Sequence, residues 1–113
     1  QINKQSFNGT VHAIVTEPFL GRQQPRPDHL PGMFNGLEKQ YLGILKRWTQ
    51  VLADGAEVVI VTPLVENEKK KYDLSKILDK SREFGYSILS GPLMYSRGHT
   101  IVKRAIYHLK YTK

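Results

Sequence analysis

Residues 11–21 read Val11-His12-Ala13-Ile14-Val15-Thr16-Glu17-Pro18-Phe19-Leu20-Gly21, and they are the most informative part of the sequence. Its first half is almost continuously apolar, which is typical of a parallel strand covered on both faces, so we predict a strand over residues 10–16. An acid, a proline and an aromatic then follow at the place where open α/β sheets bind their ligands. The proline stiffens the turn, and the ring of Phe19 offers a flat face to a planar substrate. The stretch therefore predicts chemistry on a nucleobase.

Two helices are predicted from apolar residues at helical spacing. The first spans about residues 36–53 and ends at Asp54-Gly55, where the glycine is suited to a left-handed cap. The second spans about residues 74–84, with Asp73 as its cap and Gly85 closing it. The two helices alternate with strands, which is the pattern of an α/β protein.

Three further strands and one long loop complete the prediction. The second strand covers residues 57–62 and is stopped by Pro63. The third is short, at Ile88-Leu89, and the last is long, over residues 101–111. Residues 20–34 are rich in proline and glycine and are predicted as a loop of a length that is often functional.

The order of elements is strand, helix, strand, helix, strand, strand. Strand–helix alternation implies parallel strands joined by right-handed crossovers. The short connection between the last two strands implies a terminal antiparallel hairpin. The predicted fold class is therefore α/β, with part of a Rossmann-like sheet.

The composition limits the classes of function that this chain can have. The chain has 113 residues, the size of one small domain, and a formal net charge of +7, which suits a polyanionic partner or a soluble surface. It has no cysteine, which excludes disulfides and thiolate metal sites and is typical of a cytoplasmic protein. No apolar run is long enough to cross a membrane. No metal-ligand spacing occurs among the four histidines, His12, His29, His99 and His108.

The order of elements and the Glu17 motif resemble the C-terminal half of a class I S-adenosylmethionine-dependent methyltransferase. Residues 11–21 are similar to the stretch D-A-I-V-T-D-P-P-Y-G of the THUMP-associated tRNA guanine methyltransferases. Leu52-Ala53-Asp54-Gly55, followed by the next strand, resembles their L-K-P-G-G turn, and residues 97–107 resemble their closing strand. The motif departs from the family at its acid, since Glu17 replaces Asp or Asn. Aligned without gaps, Phe19 stands at the second proline and Leu20 at the aromatic. With one proline deleted, which is the alignment we prefer, Pro18 and Phe19 match the proline–aromatic pair.

The resemblance implies roles for the motif residues. Glu17 and the Pro18 carbonyl would orient a target amine, and Phe19 would stack on the base, so these three are the candidate catalytic residues. Substrate binding is predicted for the residues that follow in the loop, Leu20, Gly21, Arg22 and Arg26. The alternative reading is structural: Glu17 caps a turn, and Phe19 belongs to the core.

The cofactor implied by the resemblance is S-adenosylmethionine, but the family binds it mainly with strands that this sequence does not match. The glycines never form G-x-G-x-x-G or a similar run after a strand. We therefore expect residues 1–113 to be a single partial domain, the C-terminal half of a catalytic domain without its cofactor-binding N-terminal half. We expect this half to be supplied by a partner or replaced by self-association, and the chain alone to bind the cofactor weakly or not at all.

Basic residues supply the candidate contacts to nucleic acid. They lie in a lysine run and in the terminal hairpin: Lys69, Lys70, Lys71, Arg97, Lys103 and Arg104. The partner implied by the resemblance is RNA, in particular tRNA, bound through its phosphates. The alternatives are a solvated loop for the lysine run and a lysine-protected edge strand for the hairpin.

Two functions follow from these features. The first is part of an S-adenosylmethionine-dependent amino-group methyltransferase of RNA, with tRNA guanine as the target, or of DNA. The second is a non-catalytic RNA- or protein-binding module on the same fold. A receiver-like or general nucleotide-binding domain is disfavoured, because the sequence has neither a paired-acid pocket nor a phosphate-binding loop.

Overall fold

The computed structural model describes residues 11–17, 26–66, 70–95 and 102–113. One mixed sheet and two α-helices make up these parts of the chain. The strands are β1 (Val11–Thr16), β2 (Leu52–Glu66), β3 (Lys71–Tyr72), β4 (Tyr86–Tyr95) and β5 (Lys103–Tyr111). The helices are α1 (Leu30–Trp48) and α2 (Ser75–Lys80).

The sheet has the strand order β1-β2-β5-β4, with β3 paired to the end of β2. β1 and β2 are parallel, and β5 is antiparallel to both β2 and β4. The α/β class, the parallel pair and the antiparallel hairpin are thereby confirmed. Because β5 is inserted between β2 and β4, residues of the last strand lie beside the centre of the sheet.

Helix α1 begins and ends earlier than predicted. It starts at Leu30, directly after a 3₁₀ turn at Pro27–His29, so much of the predicted loop is helical. Pro31 is accommodated because it stands in the first helical turn, where a backbone N–H has no helical acceptor. The helix ends at Trp48, and Asp54-Gly55 is therefore not its cap.

Strand β2 is much longer than predicted and includes both Gly55 and Pro63. Gly55 has a φ of 82° and lies where the pairing with β1 shifts register. The prediction that Pro63 stops the strand is wrong. The described pairing with β1 ends at Ile60, so Pro63 follows the point where β2 loses its neighbour on that side. A proline is tolerated in such an edge position.

The second helix and the hairpin agree with the prediction in outline. Asp73, which was predicted as the cap of α2, lies one position before the N-cap residue, Leu74. Its Oδ1 accepts hydrogen bonds from the Ser75 amide at 3.1 Å and the Ser75 hydroxyl at 2.8 Å. A 3₁₀ turn at Ser81–Phe84 continues α2 to Gly85, which is left-handed with a φ of 107°. Strand β4 is ten residues long rather than two. The apolar pattern did not predict its full length, because the strand contains two serines, Gly91 and Pro92.

The helices cover one face of the sheet. Alternate residues of β2, such as Val58 and Ile60, are completely buried beneath them. The Tyr86 hydroxyl donates to the Leu45 carbonyl at 2.6 Å and joins β4 to α1, and burial raises the pKa of Tyr86 well above its ordinary range. Within the described ranges, no helix is long and apolar enough to cross a membrane.

The opposite face of the sheet is only partly buried. Val59 and Val61 of β2 are intermediate in exposure, and Val15 of β1 is 78% exposed. The expectation that β1 is covered on both faces is therefore wrong for the described residues, since it is buried only at Ile14. The sheet has one helix-covered face and one open face.

Gly85→Ala is expected to destabilise the chain by about 2–4 kcal/mol. The substitution forces a side chain into the left-handed region, and its Cβ would lie 2.5 Å from the Thr112 carbonyl oxygen. Gly36→Ala is the matched control. Gly36 is exposed inside α1 with open space around it, so the change should stabilise by about 0.5–1 kcal/mol. Urea unfolding of both variants measures the difference, and equal midpoints would contradict it.

Candidate functional site

Glu17 lies at the carboxyl end of β1, as the sequence predicts. The pairing of Thr16 with Ile60 sets this end of β1 beside the middle of β2. Alternation along β1 places Glu17 in phase with Ala13 and Val15, on the open face of the sheet. The carboxylate therefore stands at the edge of an uncovered surface, at the sheet end where α/β proteins bind ligands.

Arg104 of β5 binds this carboxylate. Its Nε–H donates to Glu17 Oε1 at 3.0 Å, and the two side chains are 25% and 43% exposed. Strands β1 and β5 are about 10 Å apart, because β2 lies between them. Two long side chains are needed to cover that distance. The additional methylene of Glu17, relative to the Asp of the family motif, therefore helps the carboxylate to reach Arg104.

Tyr41 of α1 interacts electrostatically with this carboxylate. It is completely buried, and its hydroxyl donates to the Val61 carbonyl at 3.3 Å. Burial first, and then the negative charge of Glu17, raise the pKa of Tyr41 well above its ordinary range. Tyr41 therefore stays protonated and neutral at physiological pH. The site thus joins β1, α1, β2 and β5 around one carboxylate.

The remaining described candidates contact other groups. Arg26 pairs with Asp28 at 3.6 Å in the turn before α1, and no described contact links it to Glu17. Lys70 lies over the Tyr72 ring, 5.1 Å from its centroid, and Lys71 pairs with Asp73 at 3.8 Å. The ion pairs Arg26–Asp28 and Lys71–Asp73 are accessible to solvent, so each contributes little to the stability of the fold.

The basic candidates nevertheless share one end of the sheet with Glu17. Lys71 lies opposite Glu66 at the carboxyl end of β2, and Lys103 lies opposite Leu64 a little earlier in the same strand. Seven further candidates lie outside the described residues: Pro18, Phe19, Leu20, Gly21, Arg22, Lys69 and Arg97. Their predicted roles therefore stay predictions.

The sequence did not predict the pairing of Glu17 with Arg104. Glu17 was predicted to be a catalytic residue, and Arg104 was predicted to contact nucleic acid. The two residues are 87 positions apart, and only the insertion of β5 beside β2 brings them together. Tyr41 was assigned only to the apolar face of its helix. No local sequence signal marks either residue as a neighbour of Glu17.

A second acid pair lies on the same sheet away from the site. Glu57 Oε1 lies 2.7 Å from His108 Nε2, and Glu57 is opposite Lys110 in the register of β2 and β5. It shares with Glu17 the residue type, the partner strand and partial exposure, but not the carboxyl end of β1. Across the described ranges, no three His, Asp or Glu side chains form a group that could hold a metal ion.

No protein-family model and no curated protein matches the sequence. Its fold resembles crystal structures of a protein from Thermus thermophilus that is predicted to be a DNA modification methylase. A selenomethionine form matches 97% of this chain with a TM-score of 0.62 and 17% identity. The same protein in complex with S-adenosylmethionine matches 97% with a TM-score of 0.61 and 15% identity.

These matches show that the chain has a methyltransferase-like fold. The chain spans about half the length of those proteins, 49% in one structure and 51% in the other. They confirm the partial Rossmann-like fold expected from the sequence. The similar structures are of a predicted DNA modification methylase and not of a THUMP-associated tRNA methyltransferase, so the fold match supports the broader resemblance and not the tRNA family.

The ion pair between Glu17 and Arg104 should be measurable as a coupling energy. Because both side chains are partly exposed, a double-mutant cycle with Glu17→Gln and Arg104→Met should give about 0.5–1 kcal/mol in low salt, falling as salt is added. Urea unfolding of the two single variants and the double variant gives the value. Strictly additive effects would contradict the contact.

Proposed function

We propose that this chain is part of an S-adenosylmethionine-dependent methyltransferase that acts on amino groups of nucleic-acid bases. The observation that carries the proposal is the position of Glu17, a half-exposed carboxylate at the carboxyl end of β1 in a methyltransferase-like fold. This is the position of the acidic or amide residue in the motif that the sequence resembles.

Glu17 would accept a hydrogen bond from the target amine and so hold the nitrogen in one orientation. Such positioning accounts for a large part of enzymatic rate enhancement. Arg104 contacts one carboxylate oxygen through a single N–H, while 43% of the Glu17 side chain stays exposed. The carboxylate is thus fixed in place and still open to a substrate. Phe19, beyond the described residues, is the proposed stacking partner of the base.

S-adenosylmethionine, when bound, supplies an electrophilic methyl group on its sulfonium sulfur. The described residues do not form a cradle for it. The three glycines with positive φ lie in a β2 register shift, at the end of the α2 segment and in β4, and none follows β1 or β2. We therefore assign cofactor contacts to none of the described residues.

The nature of the nucleic acid is a finer proposal. The sequence resemblance favours tRNA guanine, whereas the protein with the similar fold is predicted to modify DNA. The net charge of +7 suits either polyanion. Phosphate contacts are proposed for Lys71 and Lys103, at the same end of the sheet as Glu17.

A non-catalytic module that binds RNA or protein is the second candidate. The observation that favours it is the ion pair, because Arg104 occupies part of the carboxylate that a catalytic site would present to substrate. In this case Glu17 stabilises the end of the sheet. The basic residues would then bind phosphates without any reaction.

Glu17→Ala is expected to lower methyl transfer at least about 100-fold, because the substitution removes the hydrogen-bond acceptor for the target amine together with the ion pair to Arg104. The assay uses tritiated S-adenosylmethionine with duplex DNA and with tRNA. It is performed on the complete translation product of the reading frame that encodes this chain.

Glu57→Ala is the matched control, since it also removes a carboxylate paired to β5 on this sheet. It should leave methyl transfer within about twofold. Absence of transfer by the unsubstituted protein to both nucleic acids, with nucleic-acid affinity unchanged by Glu17→Ala, would favour the non-catalytic module. Equal losses in the two variants would remove the special role of Glu17.

A further inference from the structure

The second half of β4 is exposed to solvent. Burial along this strand ends at Ile88, and every residue from Leu89 to Tyr95 is exposed. We call residues 89–95 the outer segment of β4. Of the five large apolar side chains that are exposed in the described ranges, four lie in this segment: Leu89, Leu93, Met94 and Tyr95. Exposed apolar side chains gathered in this way are typical of an interaction site.

The end of the outer segment lies beside the candidate site. Tyr95 is opposite Arg104 in the register of β4 and β5, and residues directly opposite each other present their side chains on one face. This is the open face, since Arg104 alternates with Ala105 and Tyr107, which are buried on the helix-covered face. Arg104 in turn binds Glu17 at 3.0 Å. Tyr95 is therefore one strand beyond the ion pair, on the same surface.

Tyr95 and Leu93 form an apolar platform on this surface. Their exposed fractions are 50% and 67%, and Leu93 shares the open face because it lies opposite Ile106. In the described part of the chain, the Tyr95 side chain has neither a ring contact nor a hydrogen bond. Its ring is thus open to a flat partner. Aromatic side chains on an open sheet face are the groups on which unpaired bases stack.

The charge of the hairpin indicates the class of partner. Residues 84–113 contain five Lys or Arg and neither Asp nor Glu, so this part of the chain repels a second copy of itself and attracts a polyanion. A further protein strand is disfavoured at this edge as well. Pro92 has no N–H to donate, and β4 shifts register twice between Ile88 and Leu93. A nucleic acid with unpaired bases suits both the charge and the exposed ring.

We propose that the platform of Tyr95 and Leu93 stacks on an unpaired base of a single-stranded nucleic acid. Arg104 has five N–H donors and gives one of them to Glu17, so its guanidinium can also bind the phosphate of that nucleotide. The interaction joins a sequence-tolerant stacking contact to a charge contact, which is the usual combination in proteins that bind single strands.

The stacked base is a neighbour of the target base. Strands β5 and β2 separate β4 from β1, so the backbone of Tyr95 is about 14 Å from the strand that leads to Glu17. Arg104 lies between the two side chains. The platform therefore holds the strand beside the target and leaves the target to Glu17. That a target base lies next to it rests on the proposed function, whereas the stacking rests on the exposed face and its charge.

The test compares Tyr95→Ala with Tyr95→Phe in the complete translation product of the reading frame that encodes this chain. The probes are fluorescein-labelled single-stranded oligonucleotides of mixed sequence, one of DNA and one of RNA, and fluorescence anisotropy without S-adenosylmethionine gives the dissociation constant. Tyr95→Ala should weaken binding at least about fivefold for one of the probes, because it removes the ring. Tyr95→Phe keeps the ring and should stay within about twofold of the unsubstituted protein.

Leu89→Ala is the matched control. Leu89 has the same exposed fraction as Tyr95, 50%, and lies at the other end of the outer segment, away from Arg104. Its removal should change the affinity by less than about twofold. The loss on Tyr95→Ala should also be the same at low and at high salt, because stacking releases no counterions.

Four outcomes would overturn the stacking. They are an unchanged affinity of Tyr95→Ala, equal losses in Tyr95→Ala and Leu89→Ala, a loss as large in Tyr95→Phe, and a loss confined to low salt, which would mean that Tyr95 acts only through Arg104. A dimer that Tyr95→Ala dissociates in sedimentation experiments, with oligonucleotide affinity unchanged, would assign the platform to a second copy instead.

Methyl transfer separates this inference from the proposed function. Weaker binding by Tyr95→Ala, together with absence of transfer by the unsubstituted protein, would leave the stacking standing and refute the proposed function. Transfer by the unsubstituted protein, with binding unaffected by Tyr95→Ala, would overturn the stacking and leave the proposed function standing.

Discussion

The pairing of β5 between β2 and β4 is the constraint on which the rest of the structure depends. It closes the hairpin back onto the centre of the sheet and makes β5 the only antiparallel member of the long strands described. It buries alternate residues of β5 beneath the helices. It also places Arg104 about two strand spacings from β1, within reach of Glu17. The position of β5 therefore determines both the strand order of the sheet and the contact between Arg104 and Glu17.

The candidate site is an electrostatic arrangement with a buried side and an open side. On the buried side, Tyr41 stays protonated and donates to the backbone of β2. On the open side, Arg104 holds the carboxylate of Glu17 at the end of the sheet. A carboxylate fixed in this way can orient a hydrogen-bond donor without reorganising. The same fixation also suits a purely structural role, so the control at Glu57 is essential to the activity experiment.

The two faces of the sheet differ in burial. One face is covered by α1 and α2, which bury residues such as Val58 and Ile60 of β2. On the other face, Val59 and Val61 are only partly buried and Val15 is 78% exposed. The described residues therefore form their core on one side of the sheet.

The amino-acid pattern was sufficient to predict the α/β class, the order of the main elements, the parallel β1–β2 pair, the closing hairpin and the place of Glu17 at a strand end. These features depend on local periodicity and on turn residues such as Gly85, which act within a few positions. The tertiary structure alone decided the early start of α1, the passage of β2 through Pro63 and the length of β4. Each depends on which neighbour a strand or helix turn has, and local pattern does not contain that information. The contact of Glu17 with Arg104 was decided in the same way, because it requires a strand order that brings together residues 87 positions apart.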